Sequence, residues 1–208
     1  LAVVLIYRVR LWNLTVHFSQ AGNRDYLFKL ALSFGITVVG GFTAKQLGLE
    51  LPETVAPVAW ALIIGGIAIL VIEKLAAGFT PSEAVTWKIA IAVGLAQVLA
   101  AVFPGTSRSA ATIFAAMLAG CTSRPAATEF AFLVGIPTMF AATAYELLKQ
   151  LDSGVAEPWD DLALGFAVSA VVAFAAVKWL LTYIQTHTFT VFAWYRISIG
   201  VGLLLALN

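Results

Sequence analysis

Nine consecutive residues, Pro104-Gly-Thr-Ser-Arg-Ser-Ala-Ala-Thr112, concentrate the chemistry of this chain. Pro104-Gly105 stops one segment and lets the backbone turn tightly. Thr106 or Ser107 can cap the helix that follows, whose first N–H groups have no intrahelical acceptor. A helix start of this kind binds anions, and Arg108 adds a planar fork of donors suited to phosphate oxygens. Ser107, Ser109 and Thr112 contribute hydroxyls, with Ser109 and Thr112 three residues apart on one helical face. Gly105, Thr106, Ser107, Arg108 and Ser109 therefore read as a phosphate cradle. The competing reading is a plain helix cap whose arginine snorkels to a membrane surface. A carboxylate ligand in place of phosphate stays open at this point.

The elements that must position these residues are membrane helices. The 208 residues are 61% hydrophobic and 11% charged, against roughly 45–50% and about 25% in a soluble domain. Mean hydropathy is +0.95. This excludes a secreted enzyme, a nucleic-acid-binding module and a disordered tail, and the net charge of +1 gives nucleic acid no electrostatic hold. A single cysteine, Cys121, excludes a disulfide framework and a multi-cysteine metal site. Apolar segments fall at 28–49, 57–76, 88–103, 107–121, 126–149, 161–184 and 190–207. Their pattern lacks the ten-residue alternation of a β-barrel, so the fold class is all-α: a polytopic helical bundle forming one membrane domain over residues 1–208.

Within it, 88–121 stands out. Its two arms are about 15 residues each, roughly 22 Å of helix against a hydrocarbon core of about 30 Å. Two short helices interrupted by Pro-Gly predict a re-entrant hairpin with the phosphate-binding tip between them. An arginine flanked by apolar arms costs about 2.5–3.5 kcal/mol at mid-membrane on insertion scales, so Arg108 calls for a partner. Alternating the segments places Arg8, Arg10, Arg24, Lys29, Lys74, Lys88, Arg124 and Lys178 on the inner side and Lys45 and Lys149 on the outer side. The C-terminus then ends outside. Leu1 to Ile6, followed by Tyr7-Arg8-Val9-Arg10, reads as the last third of a span, and hence the chain as a fragment of a longer protein.

The nine-residue stretch resembles the PG-x-SRS-x-AT signature of the undecaprenyl-diphosphate phosphatases, the bacitracin-resistance family. Ala127-Thr-Glu-Phe-Ala-Phe-Leu-Val-Gly-Ile-Pro137 resembles that family's SEF-x-FL-x-x-x-P helix, and Trp194-Tyr195-Arg196 its closing Tyr-Arg. The resemblance runs in order along essentially the whole chain. It implies hydrolysis of undecaprenyl diphosphate to undecaprenyl phosphate and phosphate, recycling the cell-wall lipid carrier in the bacterial inner membrane. It implies an inverted repeat of re-entrant hairpins whose tips meet at a site facing the outer side. Arg108, Ser107 and Thr112 would be the catalytic residues, with Glu129, Tyr195 and Arg196 in supporting positions. A divalent cation, Mg or Ca, is implied as cofactor, a polyprenyl diphosphate lipid as substrate, and a homodimer as one assembly to consider. Two departures stand out. Ala110 replaces the usual Gly, and the family's glutamate-rich motif with its following Ser and His has no match. Glu50 and Glu53 lack those companions, so the cation's ligands are expected upstream of Leu1 and the chain alone is expected to be inactive.

Other signals read more plainly. Glu129, in an apolar helix, is either a structural ion pair or support for the site. Arg196 reads as snorkelling to the inner interface, and Glu73-Lys74 as an interfacial ion pair. His17 and His187 read as solvated, Cys121 as a packing residue, and the tryptophans as an aromatic belt. Besides the diphosphatase, broken helices with an arginine at the tip also suit a transporter or flippase of an anionic lipid, and a non-catalytic scaffold is the third class.

Overall fold

A computed structural model describes residues 1–49, 54–152 and 159–207, and the described residues are overwhelmingly helical. In chain order the helices are α1 (Ala2–Ile6), α2 (Arg8–Val16), α3 (Ala21–Gln46), α4 (Val55–Ala76), α5 (Trp87–Val102), α6 (Arg108–Leu118), α7 (Arg124–Asp152), α8 (Trp159–Tyr183) and α9 (Thr190–Ala206). Four of them, α3, α4, α7 and α8, are long and apolar enough to cross a membrane. Each apolar segment of the sequence corresponds to one of α3 to α9. α3 starts earlier than its apolar stretch, because its polar first turns hold an i, i+4 ion pair between Asp25 and Lys29. Glu50 and Glu53 lie outside the described residues, as does most of the acidic stretch after α7.

In lipid, association gains little from apolar burial, so close backbone approach and internal hydrogen bonds hold helices together. The α4–α9 pair shows this. A Cβ on Gly66 would sit 2.8 Å from the Ala193 carbonyl oxygen, and one on Gly200 would sit 2.7 Å from that of Ala59. The two glycines make a reciprocal contact that no larger residue permits. α3 meets α5 in the same way: Gly94 faces the Ser33 carbonyl, and the Ser33 hydroxyl donates to the Ala90 carbonyl. α8, by contrast, has no buried residue and packs chiefly on α1. Its exposed Val168, Val171 and Val172 suit a lipid-facing surface.

The two ends of the bundle differ in charge. At one end, Arg10 pairs with Glu129 at 2.9 Å, and Lys29 donates to the Val85 carbonyl at 2.7 Å. Glu73 receives Arg124 through two guanidinium nitrogens and also accepts from the Phe189 backbone N–H at 2.9 Å. Glu73 is thus not the partner of Lys74, as the sequence suggested. Adjacent helical residues point in different directions, and Glu73 is the one that turns inward, 5% exposed. At the opposite end Lys45 meets the Tyr145 hydroxyl at 2.7 Å.

The short hairpin enters and leaves at the charged end. The Ser123 N–H donates to the Ser82 carbonyl, and the Ser82 N–H to the Thr122 hydroxyl, so the start of α5 and the end of α6 are tied together. α5 has 16 residues and α6 has 11. At 1.5 Å per residue they are about 24 and 16 Å long, both short of a full span. The turn between them abuts Val58 and Ala61 of α4, several residues inside that helix's far end.

Candidate functional site

The tip begins with Gly105. Its φ of +80° lies in the left-handed region, and a Cβ there would stand 2.8 Å from the Val58 carbonyl oxygen. Glycine is therefore required both by backbone conformation and by the approach of α4. The Thr106 N–H closes the turn on the Phe103 carbonyl at 3.3 Å. Ser107 then caps α6, its Oγ accepting from the Ala110 N–H at 3.3 Å. The sequence reading of a capped helix start is met, with Ser107 rather than Thr106 as the cap. The Ser107 and Ser109 hydroxyls lie 3.4 Å apart.

Behind the cap is a cavity of about 460 Å³, within the range typical of small-molecule sites. Arg108, Ser109 and Thr112 of α6 form its polar side, joined by Gln97 of α5. Leu1 ahead of α1, Val4 of α1, Phe132, Ile136 and Phe140 of α7, and Phe166 of α8 form its apolar wall, with the Thr143 hydroxyl of α7 among them. Half-buried Arg108 has no carboxylate partner among the described residues. Its Nη2 instead donates to the Met139 thioether, a weak acceptor. A cation so poorly compensated on an apolar wall is available to any anion that enters. Thr112 is buried, and its hydroxyl donates to the Arg108 and Ser109 carbonyls at 2.9 and 3.1 Å. Its single proton is committed to the backbone, so Thr112 offers an incoming oxygen no free donor.

The structure distributes the expected site residues unevenly. Arg108, Ser109 and Thr112 share the cavity; Ser107 shapes it from the cap. Gly105 and Thr106 form the turn and do not line it. Tyr195 is exposed on α9 and lines no part of the cavity. Glu129 points to the charged end, paired with Arg10 and within 3.5 Å of the Tyr26 hydroxyl. It is a structural pair and stands outside the cavity. Arg196 departs most from the sequence reading. It does not snorkel to the interface: its Nη2 donates to the Gly105 carbonyl at 3.0 Å and to that of Ala61 at 3.2 Å. The reason is Gly65, whose missing side chain leaves the space the guanidinium occupies. Arg196 therefore fastens the hairpin turn to α4.

Sequence reasoning passed over Gln97. It is 1% exposed, it lines the cavity, and neither its Oε1 nor its Nε2 has a hydrogen-bond partner. A glutamine in an apolar run carries no motif; only the packing around it reveals the unmet bonds.

The cavity does not fit the divalent cation that the resemblance implies. Hard cations take several oxygen ligands, carboxylates above all. The lining offers no carboxylate or imidazole side chain, and its one charged side chain is Arg108. Among the described residues no group of three or more His, Cys, Asp or Glu side chains could hold a metal.

Comparison with known proteins agrees with the motif. An undecaprenyl-diphosphatase of Rhizobium etli (strain CIAT 652) is 58% identical over 206 residues, covering 98% of this chain and 78% of that protein. One from Xanthomonas oryzae pv. oryzae (strain PXO99A) is 53% identical over 207 residues, covering 99% and 78%. The chain also matches the family described as bacitracin resistance protein BacA over residues 1–202. With that match spanning nearly every helix, and the Arg108 cavity built from the residues that carried the resemblance, the chain belongs to the bacitracin resistance protein BacA family.

Proposed function

We propose that this protein is a multi-pass membrane phosphatase that hydrolyses undecaprenyl diphosphate to undecaprenyl phosphate and inorganic phosphate. The observation that carries the reading is Arg108: an arginine without a carboxylate partner, at the capped start of α6, over a cavity with apolar walls. The relatives' name supplies the substrate, and the site supplies the matching chemistry. The diphosphate sits against the guanidinium fork and the first N–H groups of α6, while the apolar wall accepts the first part of the prenyl chain. Cleavage breaks the P–O bond of the anhydride, and negative charge gathers on the equatorial and leaving oxygens. A fixed cation and fixed N–H dipoles on an apolar-walled cavity stabilise that charge without reorganising. Arg108 binds and stabilises, Ser107 orders the helix start, and Ser109 offers a hydroxyl to a phosphoryl oxygen. The relatives' name favours the phosphatase over the transporter reading, which the broken hairpin alone would also suit.

The charge difference between the ends supports an orientation. Basic residues favour the cytoplasmic side, and Arg8, Arg10, Arg24, Lys29, Lys74, Lys88, Arg124 and Lys178 belong to the end from which the hairpin enters. The turn and cavity then open toward the outer side of the bacterial inner membrane.

The test is direct binding of inorganic pyrophosphate to the purified 208-residue chain in detergent micelles, by calorimetry. Two charge-assisted hydrogen bonds together contribute about 3 kcal/mol, so Arg108→Ala should weaken binding about 100-fold. Arg108→Lys should fall between, because a point charge cannot reproduce the fork. The cavity lining contains no carboxylate or imidazole to move a proton, so phosphate release by this chain alone should be slow even where binding is tight. Unchanged affinity in Arg108→Ala overturns the reading.

A further inference from the structure

We infer that Gln97 is a further substrate-contacting residue, its Nε2 donating to a phosphoryl oxygen of the diphosphate held at Arg108. The inference rests on the function proposed above and adds a residue that lies outside the nine-residue signature. Three observations combine. Gln97 shares a cavity wall with Arg108, Ser109 and Thr112. It is buried on the same face of α5 as Ile89, Ala90, Val93 and Gly94, the one polar side chain among the buried residues of that helix. Its amide is complete in neither role, donor or acceptor.

Buried side-chain amides are almost always hydrogen-bonded, and each exception calls for an explanation. A ligand that brings its own acceptors is the explanation the cavity favours. Of the α6 hydroxyls on this wall, Thr112 already donates to the Arg108 and Ser109 carbonyls, whereas Ser109 has only a long 3.4 Å contact with Ser107 Oγ and can turn its proton to a phosphoryl oxygen. An incoming phosphate therefore finds donors at Arg108, Ser109 and Gln97, one charged and two neutral, on two helices joined by the Arg196-fastened turn. A neutral donor suits the second position. It satisfies an oxygen without adding charge to an apolar cavity, and its Oε1 stays free to accept from a water or hydroxyl beside the phosphate.

Gln97→Met keeps length and volume but removes both polar atoms. Inorganic pyrophosphate affinity is measured by calorimetry in micelles for the parent, Gln97→Met and Arg108→Ala, with thermal unfolding of each ligand-free protein recorded alongside. The expected result is at least tenfold weaker binding in Gln97→Met with a melting temperature equal to or above the parent, since an apolar isostere leaves no orphaned amide. Gln97→Glu, which places a negative charge against the phosphate, should bind more weakly still. Unchanged affinity in Gln97→Met overturns the inference. So does weaker binding accompanied by a lower melting temperature, which would mean that the amide holds the fold and not the ligand. If Arg108→Ala also binds as the parent does, the proposed function fails with it; if Arg108→Ala loses binding while Gln97→Met does not, only the role of Gln97 falls.

Discussion

Arg196 offers a test of how the hairpin tip is held, separate from what the tip binds. Its Nη2 donates to Gly105 and Ala61 carbonyls on two different elements, at 3.0 and 3.2 Å. Hydrogen bonds from a charged donor contribute about 1.5–3 kcal/mol each in mutational series. The buried Nε without a partner subtracts part of that gain, about 1–2 kcal/mol. With the lower figure for both bonds, about 3 kcal/mol in all, less about 1 for the Nε, a net tie of about 2 kcal/mol results, or about 30-fold in the ratio of seated to unseated turns at 1.4 kcal/mol per tenfold. Arg196→Met should therefore raise amide hydrogen exchange across residues 103–107 by up to that factor. Pyrophosphate affinity scales with the fraction of molecules whose turn is seated, so it should fall by up to about 30-fold, the full factor being reached where unseated turns predominate, while Arg108 itself is untouched. Arg196→Lys, which can reach one carbonyl, should recover part of both effects. Gly65→Ala is the independent check: its Cβ occupies the guanidinium's place, and it should reproduce the Arg196→Met phenotype with the arginine still present. Exchange and affinity both within twofold of the parent in Arg196→Met would refute the positioning role.

Two further outcomes follow from groups away from the cavity. Glu73→Gln leaves the half-buried Arg124 without its charge partner and should destabilise by about 3–5 kcal/mol; Glu73→Met combined with Arg124→Met should recover most of that loss, read as melting temperature in micelles. Burial pushes the Cys121 thiol up to about 11 from an ordinary value near 9, with the charge of Glu83 adding to the shift. Because the thiolate is the reactive form, maleimide labelling of the folded protein should be slow at neutral pH and fast after unfolding in strong detergent. The folded-state pKa is raised, so the stability contribution is full below about pH 9 and is lost as pH rises through about 11; a melting temperature that climbs over that window would contradict the buried placement.

How much of this was legible in the sequence depends on which force acts. Helix positions follow from apolar run length, a property of contiguous residues, and α4 to α9 fall where the runs lie. The α6 cap and the turn at Gly105 follow from local backbone chemistry, so the tip was readable too. Pairings were not. Glu73 sits beside Lys74 in sequence but turns toward Arg124, 51 positions away, because helical geometry separates neighbours and the fold supplies the partner. Arg196 looked like an interfacial residue because nothing near it in sequence is a carbonyl in need of a donor. The space that admits it is set by Gly65 on another helix, and Gly65 has no meaning until α4 and α9 are brought together.

Gln97 carries the same reasoning to its end. In a soluble protein an isolated glutamine on a helix is unremarkable, since water satisfies it. Here α5 is flanked by α3 and α6, Gln97 is buried between them, and the cost of an unmet amide is about 1–3 kcal/mol. A fold that retained such a residue without using it would gain by replacing it with Leu or Met. The signature stretch and Gln97 thus inform differently: Pro104 to Thr112 is recognisable because its residue types are unusual together, and Gln97 because its residue type is unusual in its place. Only the second kind of signal requires the structure. It points to α5 beside the motif, where an acceptor brought by the ligand would complete what the protein leaves open.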